Sequence, residues 1–184
     1  KSTDSGNSWH AVNSGLTSLD IQAITLSPDF AKDSTVFVGT SVGLFISSNG
    51  GDTWQLPSPG RMRGTSVNSI SLSPLFSSDA TIFIGTASEG LFQSKDGGDS
   101  WESINSGFTS LTIMVVALPS GYELGSMIFV GTNNGVYRGA GIGPDPRFVP
   151  TTGLLPQSTR TLLAVCIITG FFAMAAIPIV ILRI

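Results

Sequence analysis

The sequence predicts an all-β chain of short, repeated four-stranded units followed by one apolar helix. Three observations carry this. Phe37-Val38-Gly39-Thr40 recurs as Phe83-Ile84-Gly85-Thr86 and as Phe129-Val130-Gly131-Thr132, and the glycines are evenly spaced, 85 − 39 = 46 and 131 − 85 = 46. An octamer Ser-x-(Asp/Asn)-x-Gly-x-x-Trp is written three times, at residues 2–9, 47–54 and 94–101. Residues 161–182 run without a charge. The composition agrees. A hydrophobic fraction of 41% argues against disorder, and 22 glycines with 11% charged residues point to many short strands and turns. The formal charge of −3 comes with no basic patch, so nucleic acid is excluded as an expected partner.

Along one period the elements follow in order. Residues 21–26, Ile-Gln-Ala-Ile-Thr-Leu, alternate apolar and polar side chains, the period of a half-buried strand. Residues 35–39 are β-branched and aromatic and make the second strand. Residues 43–47 make the third, after a tight turn at Gly43. The octamer is the next turn, and Trp54 opens a fourth strand. Four strands per roughly 40–50 residues, at fixed period, is the signature of a propeller blade. About three full blades and a partial one are expected.

The octamer has a folding role at each position. Asp96 accepts from the backbone N–H groups of its own loop, as Asp and Asn do in Asx-turns, which makes Asn49 an acceptable replacement. Gly97 and Gly98 permit positive φ where the chain reverses. Ser94 bonds the loop backbone. Trp101 supplies a large apolar body to pack on a strand.

In these residues the octamer resembles the Asp-box, or bacterial-neuraminidase repeat: Ser2, Asp4, Gly6 and Trp9; Ser47, Asn49, Gly51 and Trp54; Ser94, Asp96, Gly98 and Trp101. The resemblance covers about residues 2–154. It implies a β-propeller of four-stranded blades. Proteins with such repeats include sialidases, other glycoside hydrolases, sortilin-type sorting receptors and the photosystem II assembly factor. The fourth octamer has decayed to Ala-Gly-Ile-Gly-Pro-Asp-Pro-Arg at residues 140–147, with Ile142 in the Asp place. A fourth strand is still expected over residues 147–151, with Phe148 in place of the lost Trp.

The resemblance to sialidases implies an Arg cluster, a Tyr nucleophile paired with a Glu, and an Asp acid/base. The chain does not offer them. Tyr122 stands at the repeat position of Phe30 and Phe76, and Tyr137 at that of Phe45 and Phe92, so both read as core. Glu89, Glu102 and Glu123 fall at turns or strand starts, and Asp99 beside Asp96 reads as a solvated turn acid. His10 has no relay partner, and Cys166 is the single cysteine, so no disulfide and no Cys/His metal site is expected. No loop supplies the spaced acids of a Ca²⁺ site. Catalytic residues, cofactor and metal are all expected to be absent. Residues 57–64 decorate the repeat with Arg61, Met62 and Arg63, which offer a patch for partner contact.

The uncharged stretch at 161–182 is long enough for a helix to cross a hydrocarbon core of roughly 30 Å, and Arg160 and Arg183 close its ends. The expected organisation is blades over 1–138, the last strand with a Pro- and Gly-rich connection over 139–158, and a transmembrane helix over 159–184. The expected function is a non-enzymatic, membrane-anchored propeller, a scaffold or accessory assembly subunit that binds a membrane protein complex. Its propeller is placed outside the cytoplasm, and no small-molecule substrate is expected. The alternative is a fragment of a membrane-bound, sialidase-like glycoside hydrolase whose catalytic residues lie outside this chain. A sorting-type receptor is a third class, against which the lack of cysteine over residues 105–161 counts. Residues 2–12 hold only a box and a fourth strand. The expected explanation is earlier blades in a longer chain, or an open edge covered by another subunit.

Overall fold

Each period folds into one antiparallel sheet because its apolar runs are separated by turns that reverse the chain at fixed intervals. The computed structural model describes residues 1–57, 62–123, 126–140 and 147–151. The first sheet holds β1 (Ile21–Leu26), β2 (Val36–Thr40) and β3 (Gly43–Ser47), with a short helix α1 (Phe30–Asp33) between β1 and β2. The second holds β4 (Val67–Leu72), β5 (Ile82–Thr86), β6 (Leu91–Ser94) and β7 (Glu102–Ser103), with α2 (Phe76–Asp79) after β4. The third holds β8 (Ile113–Ala117), β9 (Met127–Thr132), β10 (Gly135–Ala140) and β11 (Val149–Pro150). Strands pair in sequence order within every sheet.

The repeat extends to detail. The first pairing of each sheet shifts register at the same place, between Ile21 and Ala23, Val67 and Ser69, and Ile113 and Val115. A bulge there bends the inner strand and increases its twist.

The sheets stack face to face, and side-chain alternation supplies the two faces. Phe37 and Leu44 on one face of the first sheet pack with Ile70, Ile82, Ile84, Phe92 and Trp101 of the second. Phe83 and Leu91 of the second pack in turn with Val116, Ile128, Val130, Tyr137 and Phe148 of the third. Side chains also reach between the inner strands. Thr25 Oγ1 donates to the Ile70 carbonyl at 3.1 Å, and Ser71 Oγ, one period on, donates to the Val116 carbonyl at 2.6 Å. Asn68 Nδ2 donates to the Ile113 carbonyl at 3.0 Å.

The glycine of the Phe-x-Gly-Thr motif is explained by this stacking. Its φ is not of the left-handed kind. A methyl group on Gly39 would come within 2.7 Å of both Cγ1 and the carbonyl oxygen of Val67, on the next sheet. On Gly85 it would come within 2.5 Å of Ile113 Cγ2. The inner strand of the following sheet sits directly on the glycine.

The structure departs from the sequence reading in four places. The strand expected from Trp54 is reduced to a single bridge, Ile46 to Gln55. The strand expected over residues 9–12 is likewise reduced to one pair: the His10 N–H donates to the Lys1 carbonyl at 2.9 Å and the Lys1 amino group donates to the His10 carbonyl at 2.8 Å. The two short helices were not anticipated. Met62 is buried at 1% exposure in the cluster between the first and second sheets, so it packs the core and is not a surface contact.

The described sheets belong to a unit ending at Thr151, which includes β11. Among the described residues no helix is long and apolar enough to cross a membrane. The span expected at 161–182 lies outside them.

Candidate functional site

The three octamers are a repeated polar feature, and each is a local network. In the third, Ser94 Oγ donates to Asp96 Oδ1 at 2.7 Å and accepts from the N–H of Gly98 at 2.9 Å. Asp96 Oδ1 also accepts from the N–H of Ser100 at 2.9 Å, and its Oδ2 accepts from the Ser100 hydroxyl. Trp101 Nε1 donates to the Gly98 carbonyl at 3.0 Å and its ring lies over that glycine. The first octamer repeats this set through Ser2, Asp4, Gly6, Ser8 and Trp9.

The second octamer keeps the geometry with one reversal. Asn49 Oδ1 accepts from Ser47 Oγ at 2.8 Å and from the N–H of Thr53 at 3.0 Å. Its Nδ2 then donates to Thr53 Oγ1 at 2.8 Å, where the carboxylates of the other two accept. Trp54 turns its Nε1 to the Val12 carbonyl at 2.7 Å instead of the box glycine.

These bonds hold the box acids ionised. The Ser100 hydroxyl, the Ser100 N–H and the Ser94 hydroxyl together draw Asp96 from 3.8 down to about 2. The Ser8 hydroxyl and N–H and the Ser2 hydroxyl draw Asp4 to about 2 as well. A depressed carboxyl pKa contributes stability that is complete above the unfolded value and is lost as pH falls through the folded one. The box loops are therefore expected to loosen between about pH 4 and pH 2. A carboxyl chemical-shift titration checks this: Asp96 should titrate near 2, and a midpoint near 4 would show the network to be unformed in solution.

The remaining candidates are dispersed. The Glu89 carboxylate accepts from Thr65 Oγ1 at 2.7 Å, and its carbonyl accepts from Asn105 Nδ2 at 2.9 Å. Glu102 lies in β7 opposite Gln93. Tyr122 is buried against Phe83 in an edge-to-face contact, and burial, with the Asp79 charge, pushes its phenol up to about 12. Tyr137 is buried and shares a hydrogen bond with Thr109 Oγ1 at 2.6 Å. Both tyrosines are core, as the repeat requires. Phe148 is buried and stacked on Phe108, filling the place of the lost Trp. His10 and Arg63 are exposed, and Arg61 lies outside the described residues.

Two grooves lie beside the octamers. One, of about 270 Å³, is lined by Ile46, Gln55, Leu56 and Pro57 with Asp99 as its one carboxylate. The other, of about 460 Å³, is apolar and lined by Trp9, Ile24, Leu26, Phe30 and Trp54. Hydrolysis of a glycoside by the usual route takes two facing carboxylates, and neither groove supplies a pair. Among the described residues no cluster of three His, Cys, Asp or Glu side chains could hold a metal ion.

A second repeated clamp escaped the sequence reading. Ser27 Oγ donates to Asp33 Oδ2 at 2.5 Å, and Asp33 Oδ1 accepts from the N–H of Thr35 at 2.8 Å. One period on, Ser73 Oγ donates to Asp79 Oδ2 at 2.6 Å and Asp79 accepts from the N–H of Thr81 at 2.9 Å. The signal was present in the spacing, 73 − 27 = 46 and 79 − 33 = 46.

Residues 1–135 match the family model described as sortilin, neurotensin receptor 3 (Sortilin-Vps10). No curated protein matches the chain. A GH74 enzyme from Niastella koreensis is similar in structure, with 24% identity and a TM-score of 0.55 over 72% of this chain and 22% of that one. An ancestral GH74 enzyme is similar at 22% identity and a TM-score of 0.52, over 69% of this chain and 18% of that one. The chain thus spans about a fifth of the solved structures it resembles, and at these identities the likeness establishes the fold alone.

Proposed function

Because the chain belongs to the sortilin-Vps10 family, a β-propeller family, we propose that it is a non-enzymatic, Asp-box propeller that binds a macromolecular partner at a membrane surface. One observation carries the reading most directly: the box carboxylates Asp4 and Asp96 are spent on their own loops. They are held ionised by serine donors, which suits a structural acceptor and does not suit a general acid. The family description, a receptor, supports the binding class. The uncharged stretch at 161–182 supports an anchor, and the partner is then a subunit of a membrane protein complex. The propeller lies on the extracytoplasmic side, and Arg63 remains an exposed part of the proposed contact loop.

A second reading, part of a larger propeller glycoside hydrolase, is favoured by the two GH74 structures. One experiment separates the two. The native protein is extracted in mild detergent, its co-purifying proteins are identified, and the same preparation is assayed on a panel of glycoside substrates that includes sialosides. Stoichiometric recovery of membrane-complex subunits without hydrolysis is expected. Hydrolysis by the pure protein, with no bound subunit, would replace the first reading with the second.

A further inference from the structure

Asparagine followed by glycine occurs at Asn49-Gly50, inside the second octamer, and at Asn134-Gly135, in the hairpin between β9 and β10. We infer that Asn134 is a covalent modification site, converted in the folded protein to aspartate and isoaspartate, and that the octamer protects Asn49 from the same reaction. The chemistry needs water alone. The backbone nitrogen of the glycine gives up its proton and attacks the asparagine Cγ. The Cγ–Nδ2 bond breaks, the nitrogen takes up a proton and leaves as ammonia, and a five-membered imide ring remains. Water then opens the ring at either carbonyl. One opening gives aspartate, and the other routes the main chain through the side chain as isoaspartate. Glycine favours the attack because it has no side chain to shield its nitrogen and adopts backbone angles closed to other residues.

Both asparagines reach solvent, so exposure does not separate them. Their bonds do. The Asn49 amide is held at both ends: Oδ1 accepts from Ser47 Oγ and the Thr53 N–H, and Nδ2 donates to Thr53 Oγ1. The attacking nitrogen is engaged as well, because the Gly50 N–H donates to the Ser34 carbonyl at 2.8 Å. Ser34 caps the C-terminal end of α1, so this bond ties the octamer to a separate element. Reaction at Asn49 requires the box and the tie to open together.

Asn134 is held less. Its Nδ2 donates to Thr109 Oγ1 at 3.0 Å, and its Oδ1 accepts no bond among the described residues. Residues 133–136 are all exposed. Gly135 pairs with Thr132 at the end of the β9–β10 ladder, so freeing its nitrogen opens the hairpin turn and no more. Exposed turns lie at the low-stability end of a fold. The product is also accommodated. With a carboxylate at 134, the Thr109 hydroxyl donates to it, and the Tyr137 hydroxyl, now bonded to Thr109, donates in turn.

The test follows both sites in the protein as isolated, held folded in mildly alkaline buffer, and in a second sample held in enough urea to unfold it. Peptide masses score conversion of each asparagine, and isoaspartyl methyltransferase labels the isoaspartate. In the folded sample residue 134 is expected to convert, and residue 49 at least about tenfold more slowly, because its reaction waits on opening of the octamer. In urea the two should convert at similar rates, since both are followed by glycine. Asn134 left intact in the folded sample while it converts in urea overturns the inference. So do equal rates in the folded sample, or an Asn49 that stays slower in urea, which would place its protection outside the fold.

Discussion

Trp101→Ala is expected to cost about 3–5 kcal/mol of stability, the range for removing a large buried aromatic side chain. Trp101 is 9% exposed in the cluster that joins the first and second sheets, among Ile82, Ile84 and Phe92. Its ring lies on Gly98, and the loop cannot close over the space it leaves without breaking the Ser94 and Asp96 bonds. The first octamer supplies an internal control. Trp9 makes the matching bond, Nε1 to the Gly6 carbonyl at 3.2 Å, but is 73% exposed. Trp9→Ala should therefore cost less than about 1 kcal/mol, as exposed substitutions do. Urea unfolding of both variants measures the difference. Equal losses would show that the tryptophan acts through its loop bond and not through burial.

The second large effect is expected at Gly85. Gly85→Ala forces a methyl group to within 2.5 Å of Ile113 Cγ2 and 3.0 Å of Ile113 Cβ. Ile113 is fully buried in β8, branched at Cβ, and fixed by its pairing with Thr132. A β-branched side chain is stiff at χ1, so the clash is relieved mainly by moving the two sheets apart. Overpacking of this kind costs about 1–3 kcal/mol. Reducing the clashing partner should relieve it: Ile113→Ala costs stability alone, yet the double variant should lose less than the sum of the single losses. Strict additivity in denaturant unfolding would show that the glycine is not in contact with β8.

The sequence by itself determined whatever is settled within a few residues. The octamers were legible because their bonds run from Ser94 to Asp96 and Gly98, and from Asp96 to Ser100, spans of two to four residues. The strands of the three sheets were legible from alternation and glycine turns. The core roles of Tyr122 and Tyr137 followed from their repeat positions. The Ser27–Asp33 clamp was equally local and equally periodic, and it was passed over because it lacks a large marker residue such as tryptophan.

Tertiary structure decided what depends on the neighbouring sheet. Three octamers of one pattern bury Trp54 and Trp101 and leave Trp9 in solvent, because exposure is set by what lies across the interface and not by the motif. Met62 read as a loop contact beside two arginines, yet the loop folds it into the space between two sheets. The motif glycine read as part of a strand, and its reason is the closeness of Val67 and Ile113 on the next sheet. A repeat specifies each sheet's two faces alike. Only the stacking decides which face is covered, since burial is a property of the pair and not of either strand.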